Sequence, residues 1–473
     1  MSRRWELPAF ALVLGVLVAA FFGESLFGGK VLSPADVLLA SASFRPGQSD
    51  YEPANRLLFD PVLQFEPWLE LSRAQIRRGR LPLWNPLAGC GAPHLANAQS
   101  AVFDPFHLFA YLGRLPEAHA WMAAARLWVA GIGMFLLAGA WGLGPWGRWF
   151  SGLAFPFCGF LVVWLLYPVT SAAVWMPWLL LATEQLLNRQ APRSVAAVAV
   201  CAGLVLLGGH IQTSAHVLLA AGLYAASRVI FLFRNEPVLE SARALARKRL
   251  CSWTAAAALG VALAAVVIVP LGFYLAHSPV WADREAVKVP FWRLARPRLL
   301  DAVCTALPYA YGSQRRGHPN FARGLGVHNL NESSGGFAGL ITLVCLAPLS
   351  LATWNARPRV RFLASLAAVG ALGAFRLPPV DNLLRALPVL SVTDNRRLTL
   401  WVAFALVLLG GIGLDHLAEF RNRKRWRGWV AVWLAGALLL GAGAIVIGRA
   451  GPWLNARARE HYGHADANTT GVG

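Results

Sequence analysis

Charged side chains are scarce in this chain. Asp, Glu, Lys and Arg make up 14% of its 473 residues, against about 25% in soluble domains. With 57% hydrophobic residues and a mean hydropathy of +0.50, that shortage argues against an ordinary soluble domain. Acid is scarcer than base: 23 Asp and Glu face 43 Lys and Arg, a net charge of +20. In a soluble protein such an excess would point to nucleic acid. Here the basic residues gather in short connections between apolar runs, as the positive-inside rule expects. The expected partner is therefore the lipid bilayer, including its anionic headgroups, and not nucleic acid.

Other absences narrow the reading. No alternation of the transmembrane-barrel type is visible. The six Cys lack metal-ligand spacing. Cys158, Cys201, Cys251 and Cys345 lie in apolar runs and read as small core residues. Cys90 and Cys304 fall in two loops, where a disulfide and two free thiols are both open. No cleavable signal is evident. Arg3 and Arg4 precede the run 7–23, which reads as a retained first span.

What the chain has in plenty is apolar runs of roughly 18–22 residues, which suit a hydrocarbon core of ~30 Å. The expected class is an all-α polytopic membrane protein, one integral-membrane domain over 1–473. About eleven spans are expected: 7–23, 118–140, 149–166, 168–187, 194–209, 213–233, 251–275, 336–354, 362–375, 398–416 and 428–447. A cytoplasmic N-terminus puts Arg3 and Arg4, Arg148, Arg189 and Arg193, the cluster from Arg243 to Arg249, Arg357 to Arg361, and Arg421 to Arg427 on the cytoplasmic side. The short outer turns near Tyr167 and His210 then carry none. Two large extracytoplasmic loops result, 24–117 and 276–335, with a smaller one at 376–397 and a polar tail at 448–473.

The first loop concentrates Asn, Gln, Pro, Trp and Asp. Asp60-Pro61 reads as a helix N-cap followed by proline at the first helical position. Val62, Phe65, Leu69 and Ile76 then share one face, predicting an interfacial amphipathic helix that Gly79 ends. The breaker-rich stretch beyond it is expected to be irregular but ordered. The apolar piece 101–112 is too short to span and reads as interfacial or re-entrant.

Several motifs resemble a known family. Asp60 with Gln64 and Pro67-Trp68, the run Gly79-Arg80-Leu81-Pro82-Leu83-Trp84-Asn85-Pro86, Gly91-Ala92-Pro93, and Ala96-Asn97-Ala98-Gln99-Ser100 are similar to the first outer loop of the YfhO-like bacterial membrane proteins. Gly209-His210-Ile211-Gln212-Thr213 resembles that family's Gly-His-Pro-Gln-Thr turn, with Ile211 in place of proline. Asn395-Arg396-Arg397, followed by a span ending Gly411-Ile412-Gly413-Leu414-Asp415, resembles its late segment. The resemblance implies a GT-C-like glycosyltransferase of the bacterial plasma membrane. It implies a polyprenyl-phosphate-linked sugar as donor, an envelope glycan or lipid as acceptor, and a first-loop carboxylate in catalysis.

Beside the resemblance, four polar constellations fall on one expected side of the membrane: loop 24–117, positions 210–212, loop 276–335 and positions 395–397. Sugar transfer from a lipid phosphate needs a base for the acceptor hydroxyl and positive charge for the leaving phosphate. Asp60 is the first candidate base and Asp36 the second, although either suits a cap or turn. Arg396, Arg397 and Arg126 are the candidate phosphate ligands. Arg396 and Arg397 also suit an interface, and Arg126 also suits snorkelling. Gln64, Asn85, Asn97 and Gln99 suit sugar contact or loop bracing. His210 and Gln212 suit donor contact or bracing of their turn, and Trp68 and Trp84 suit sugar stacking or the interfacial belt. No metal is demanded, but Asp36, Asp60, Asp104 and Glu332 are conceivable ligands of a divalent cation. The rival readings are a lipid or polysaccharide transporter or flippase, which expects ionisable groups near the midplane, and a non-catalytic envelope-assembly scaffold.

Overall fold

The fold comes from a computed structural model. It describes residues 3–40 and 51–418, apart from 56, 237, 287, 317, 319, 321, 323, 324 and 328, together with 433, 438, 441, 442, 445 and 449. Helices dominate. The only paired strands among the described residues are Trp84–Asn85 and Ala92–Pro93, which form a small antiparallel hairpin.

Four described helices are long and apolar enough to cross a membrane: Leu115–Ala140, Pro145–Val163, Ile211–Arg234 and Asn395–Leu417. A fifth is reached if Leu239–Leu263 and Ala265–Ala276, bent by 74° at their junction, count as one span. This supports a helical membrane protein and corrects the eleven expected spans. The apolar run 168–187 is two helices, Pro168–Ala173 and Met176–Arg189. The run 336–354 is broken into a π turn Thr342–Leu346, a single turn Ala347–Ser350 and a 3-10 turn. Pro192–Leu207 has 16 residues, a rise of only about 24 Å. The run 362–375 belongs to Pro358–Ala374, which begins with Arg359 and Arg361. The expected span 428–447 and the tail 448–473 lie almost wholly outside the described residues. Apolar composition marks burial, whether in lipid or among neighbouring helices, so it overcounts crossings.

The helix Asn395–Leu417 is the most enclosed. Gly411 and Gly413 let it approach its neighbours: a Cβ at Gly413 would overlap the Leu346 carbonyl oxygen, and one at Gly411 would meet Ser151 Oγ and the Gly147 carbonyl. Small residues serve membrane helix packing in this way. At its far end the Asp415 carboxylate accepts from the backbone N–H groups of Gly144 and Gly147, at 2.5 and 2.8 Å, and so holds the first turn of the helix that starts at Pro145.

Charge is not absent from the helices. Glu184 is buried and accepts from Tyr224, Asn188, Arg228 and Arg359. Arg228 lies 16 residues beyond Gln212 in the helix Ile211–Asn235, so this cluster sits roughly 24 Å along it from the His210 turn.

The first loop is bound down by side chains. The amphipathic helix is Glu66–Arg77, preceded by a π turn Pro61–Phe65. The turn buries Val62 and the helix buries Leu69 and Ser72 against protein. Ser72 Oγ lies 2.8 Å from His94 Nε2. Arg73 and Arg77 donate to the carbonyls of Ala110, Tyr111, Leu112 and Gly113. These are the orphan carbonyls at the end of the short helix Leu108–Leu112, which a cation is suited to cap. Gly79, at φ +68°, lets the chain turn away after Arg77. The two large loops touch: Asn55 bridges to Arg315, and Arg316 donates to the carbonyls of Ala54 and Glu52.

Candidate functional site

Residues far apart in sequence line one cavity of about 690 Å³. The first loop contributes Trp68, Asn85, Asn97 and Gln99, and the following turn contributes His210 and Gln212. The bent helix Ala265–Ala276 supplies an apolar wall of Leu271, Tyr274 and Leu275. Trp281 and Arg284 enter from the short helix Pro279–Ala286, and Glu332, Asp394 and Arg397 close the far side. A second, smaller chamber of about 170 Å³ adjoins it and shares Gln99, His210, Glu332 and Arg397. Asp60, Trp164, Tyr167, Asn329 and Asn331 line only the smaller chamber of these two.

Local backbone geometry brings these pieces together. Gly209 sits at φ +85°, where a Cβ would press on Ala101 Cβ and the Ala98 carbonyl oxygen. The turn before His210 therefore packs directly on the first loop, and only glycine fits there without strain. Asn85 Oδ1 accepts from Leu87 N and Asn97 Oδ1 from Ser100 N, at 2.9 and 2.8 Å. These two amides both brace the loop and face the cavity. The Gln212 amide donates to the Asp394 carbonyl and accepts from Arg397 Nη1 at 2.7 Å.

The two adjacent arginines have different surroundings. Arg396 is buried, 4% exposed, against Asp301, Glu332 and Asp394 at 3.7, 3.0 and 3.6 Å. It lines neither cavity. Arg397 lines both, with Glu332 at 3.1 Å and the Trp164 ring centroid 4.8 Å from its guanidinium carbon. Asp394 also pairs with Arg298 at 2.7 Å and with Arg376 at 4.0 Å. Burial alone would raise the Asp394 carboxyl, but the Arg298 hydrogen bond and charge, with Arg396 and Arg376, outweigh it and hold it at about 2. Burial, then the Arg298 charge, pushes Arg376 down. Arg284 and Arg397 thus face Glu332 and Asp394 in the cavity lining, with Arg298, Arg376, Arg396 and Asp301 paired behind them.

Burial, then the Arg397 charge, pushes the His210 imidazole well below its usual range, which favours the neutral ring. Its Nδ1 accepts from Thr213 N at 3.2 Å and lies 2.9 Å from Thr213 Oγ1. A nitrogen that accepts carries no proton, so the neutral ring keeps its hydrogen on Nε2. His210 therefore offers an N–H donor in the wall common to both cavities.

Asp60 is not an N-cap. Its backbone is helical, at φ −57° and ψ −43°, and its side chain accepts no cap hydrogen bond, whereas capping residues sit in the extended region. Its exposed carboxylate takes Gln64 Nε2 at 3.2 Å. Gln64 itself does not line either cavity, and neither does Asp36, whose carboxylate ties down Ala54 N at 2.6 Å. Trp84 stands on the exposed face of the hairpin, over Gly91, so Trp68 is the tryptophan of this pair that reaches the cavity. Arg126 does not snorkel. It is buried, donating to Asp104 at 3.2 Å and to the Leu165 carbonyl at 3.1 Å, with Ser171 also on Asp104. That network joins the first loop to the helices and lies outside both cavities.

Of the four carboxylates weighed for a cation, Asp60 and Glu332 line the smaller chamber, while Asp36 and Asp104 are engaged elsewhere. Among the described residues no group of three or more His, Cys, Asp or Glu is placed to hold a metal ion. Cys90 is exposed and Cys304 buried, and both are free thiols.

No protein-family model, curated protein or solved structure matches this chain. Geometry therefore carries the reading. It adds Arg284, Trp281, Tyr274 and Asp394 to the candidates, with Asp301 behind them against Arg396. Asp394 was within reach of sequence reasoning, since it directly precedes Asn395-Arg396-Arg397. Arg284 was not, because Pro279–Ala286 has the mixed composition of any solvated helix.

Proposed function

We propose that this protein is a membrane glycosyltransferase that moves a sugar from a polyprenyl-phosphate donor to an envelope acceptor at the extracytoplasmic face. The observation that carries the reading is the 690 Å³ cavity itself. One wall is apolar and belongs to a helix whose other face exposes Val266, Val269 and Phe273, as lipid contact requires. The remaining lining is polar and carries Arg284 and Arg397, each able to meet a phosphate. Such a cavity suits a ligand that is half lipid and half phosphorylated sugar.

In this reading Arg397 and Arg284 contact the donor phosphate, and Arg396 holds the carboxylates behind them. Asn85, Asn97, Gln99 and His210 Nε2–H offer hydrogen bonds to the sugar, with Trp68 and Trp281 available to its faces. The acceptor oxygen attacks the anomeric carbon, and its proton passes to the Asp60 carboxylate. The bond from that carbon to the phosphate oxygen breaks, with its electron pair going to the phosphate. The leaving polyprenyl phosphate gains one negative charge, which Arg397 and Arg284 stabilise. Glu332 is less available than Asp60 because two guanidinium groups already engage its oxygens.

A photoactivatable polyprenyl phosphate tests the donor site. It should crosslink within Leu271 to Arg284 and compete with unlabelled polyprenyl-phosphate sugar. Crosslinking confined to the exposed bilayer face, without competition, would contradict the reading.

A further inference from the structure

The smaller chamber differs from the donor cavity in size and chemistry. At about 170 Å³ it has room for roughly six water molecules of ~30 Å³ each. A single small hydroxylated unit fits such a space. It lacks the helix Ala265–Ala276 that gives the larger cavity its apolar wall. Its polar lining includes Asp60, Gln99, Asn329, Asn331 and Glu332, all able to meet hydroxyl groups, beside His210 and Arg397 of the neck. Asn329 Oδ1 is taken by Glu332 N at 3.2 Å, which leaves its amide NH₂ as the available end.

One side of the chamber is a fixed aromatic corner. Tyr167 stands edge-on to both Trp164 and Phe65, with ring centroids 5.0 and 5.4 Å apart. Its hydroxyl is anchored on the Leu57 carbonyl at 3.0 Å. Such a corner offers a surface to the C–H face of a sugar ring.

Charge decides between neutral and anionic occupants. Asp60 has the neutral Gln64 amide as its hydrogen-bond partner. Arg397, the cation among the lining residues, is held by Glu332 and Gln212 and in the transferase reading is turned to the donor phosphate. With the donor bound, a second phosphate or carboxylate drawn in here would meet the Asp60 and Glu332 charges, while Arg397 is committed to the donor.

Building on the transferase reading, we propose that this chamber is the acceptor site and that the acceptor presents a single neutral, hydroxyl-bearing unit to Asp60. The neck formed by Gln99, His210, Glu332 and Arg397 is then where the acceptor oxygen meets the anomeric carbon.

The test uses the full chain in lipid vesicles, a polyprenyl-phosphate hexose with a labelled sugar, and glucose or glucose 6-phosphate as probe acceptors. Donor binding, donor hydrolysis by water and transfer are read separately. Transfer to glucose should exceed transfer to glucose 6-phosphate at least about tenfold, the equivalent of one lost hydrogen bond or modest repulsion. Asn331→Phe should keep donor binding and hydrolysis while losing transfer. If that variant fails to fold, Asn331→Ala should raise the acceptor KM with the donor Kd unchanged. Equal transfer to both probes, or a weakened donor Kd in the Asn331 variants, overturns the acceptor assignment while leaving the donor site standing. If the wild type binds no donor at all, the transferase reading fails first, and that result is visible in the separate binding measurement.

Discussion

Arg396 and Arg397 are neighbours in sequence, yet the same substitution at each should fail in opposite ways. Arg396→Gln removes a cation that is 4% exposed and leaves Asp301, Glu332 and Asp394 around a neutral amide. Breaking a buried ion pair from one side costs about 3–5 kcal/mol. Glu332 keeps Arg397 and Asp394 keeps Arg298, so the low end, about 3 kcal/mol, is expected. Arg397→Gln leaves Glu332 paired with Arg396 and should cost less, about 1.5 kcal/mol of stability, the low end for a charge-assisted hydrogen bond. Its functional effect should be larger. One charge-assisted hydrogen bond to phosphate is worth about 1.5–3 kcal/mol, so donor affinity should fall roughly 10- to 150-fold. Thermal unfolding of purified protein in lipid nanodiscs, beside donor-binding titrations, reads both quantities. The reasoning is refuted if Arg396→Gln melts like the wild type, or if Arg397→Gln binds donor unchanged.

The other expectations concern single residues. Asp60→Asn should lose roughly 10²–10⁴ in turnover and melt at the wild-type temperature, because the carboxylate caps nothing; Asp36→Asn is the comparison, with loop stability affected and turnover retained. Gly209→Ala should destabilise by more than about 1 kcal/mol, since its φ of +85° and the Ala101 contact both resist a Cβ; a melting temperature equal to wild type would refute that packing. His94, held at about 4 mainly by burial, must stay neutral to remain in its site. Its folded pKa lies below the unfolded value of ~6.5, so stability is full above that value and falls as pH drops towards 4. Melting curves from pH 7 to 4 should therefore show a loss of stability that His94→Asn reduces, and equal slopes in both proteins would contradict the assignment.

Parts of this architecture were legible in sequence and parts were not, for physical reasons. Apolar runs identified a helical membrane protein, but they do not report breaks. Nothing in the Ala-rich run around Ala264 signals a 74° bend, and Pro270 lies six residues too late to mark it. The four polar constellations were visible as composition, because polar residues are expensive among apolar helices. Their meeting at one cavity is a matter of tertiary packing, as at Gly209 against Ala101. Which of two adjacent arginines reaches the cavity is set by the 3-10 turn Asn395–Leu398, and no spacing rule distinguishes them. Asp60-Pro61 has the residue types of a cap, and only the backbone dihedrals show that helical geometry already begins at Asp60. Arg126 and Glu184 show the limit of reading charge alone. Each is buried with named partners, and those partners come from segments tens of residues away.

The central claim is sugar transfer from a lipid phosphate with Asp60 as base. Wild-type protein and Asp60→Asn, both in lipid vesicles, should be incubated with a panel of labelled polyprenyl-phosphate sugars, and released or transferred sugar measured. The account predicts turnover of at least one donor by the wild type and a loss of roughly 10²-fold or more in Asp60→Asn at unchanged donor affinity. Full turnover in Asp60→Asn, or no binding and no turnover across the panel by the wild type, would contradict it.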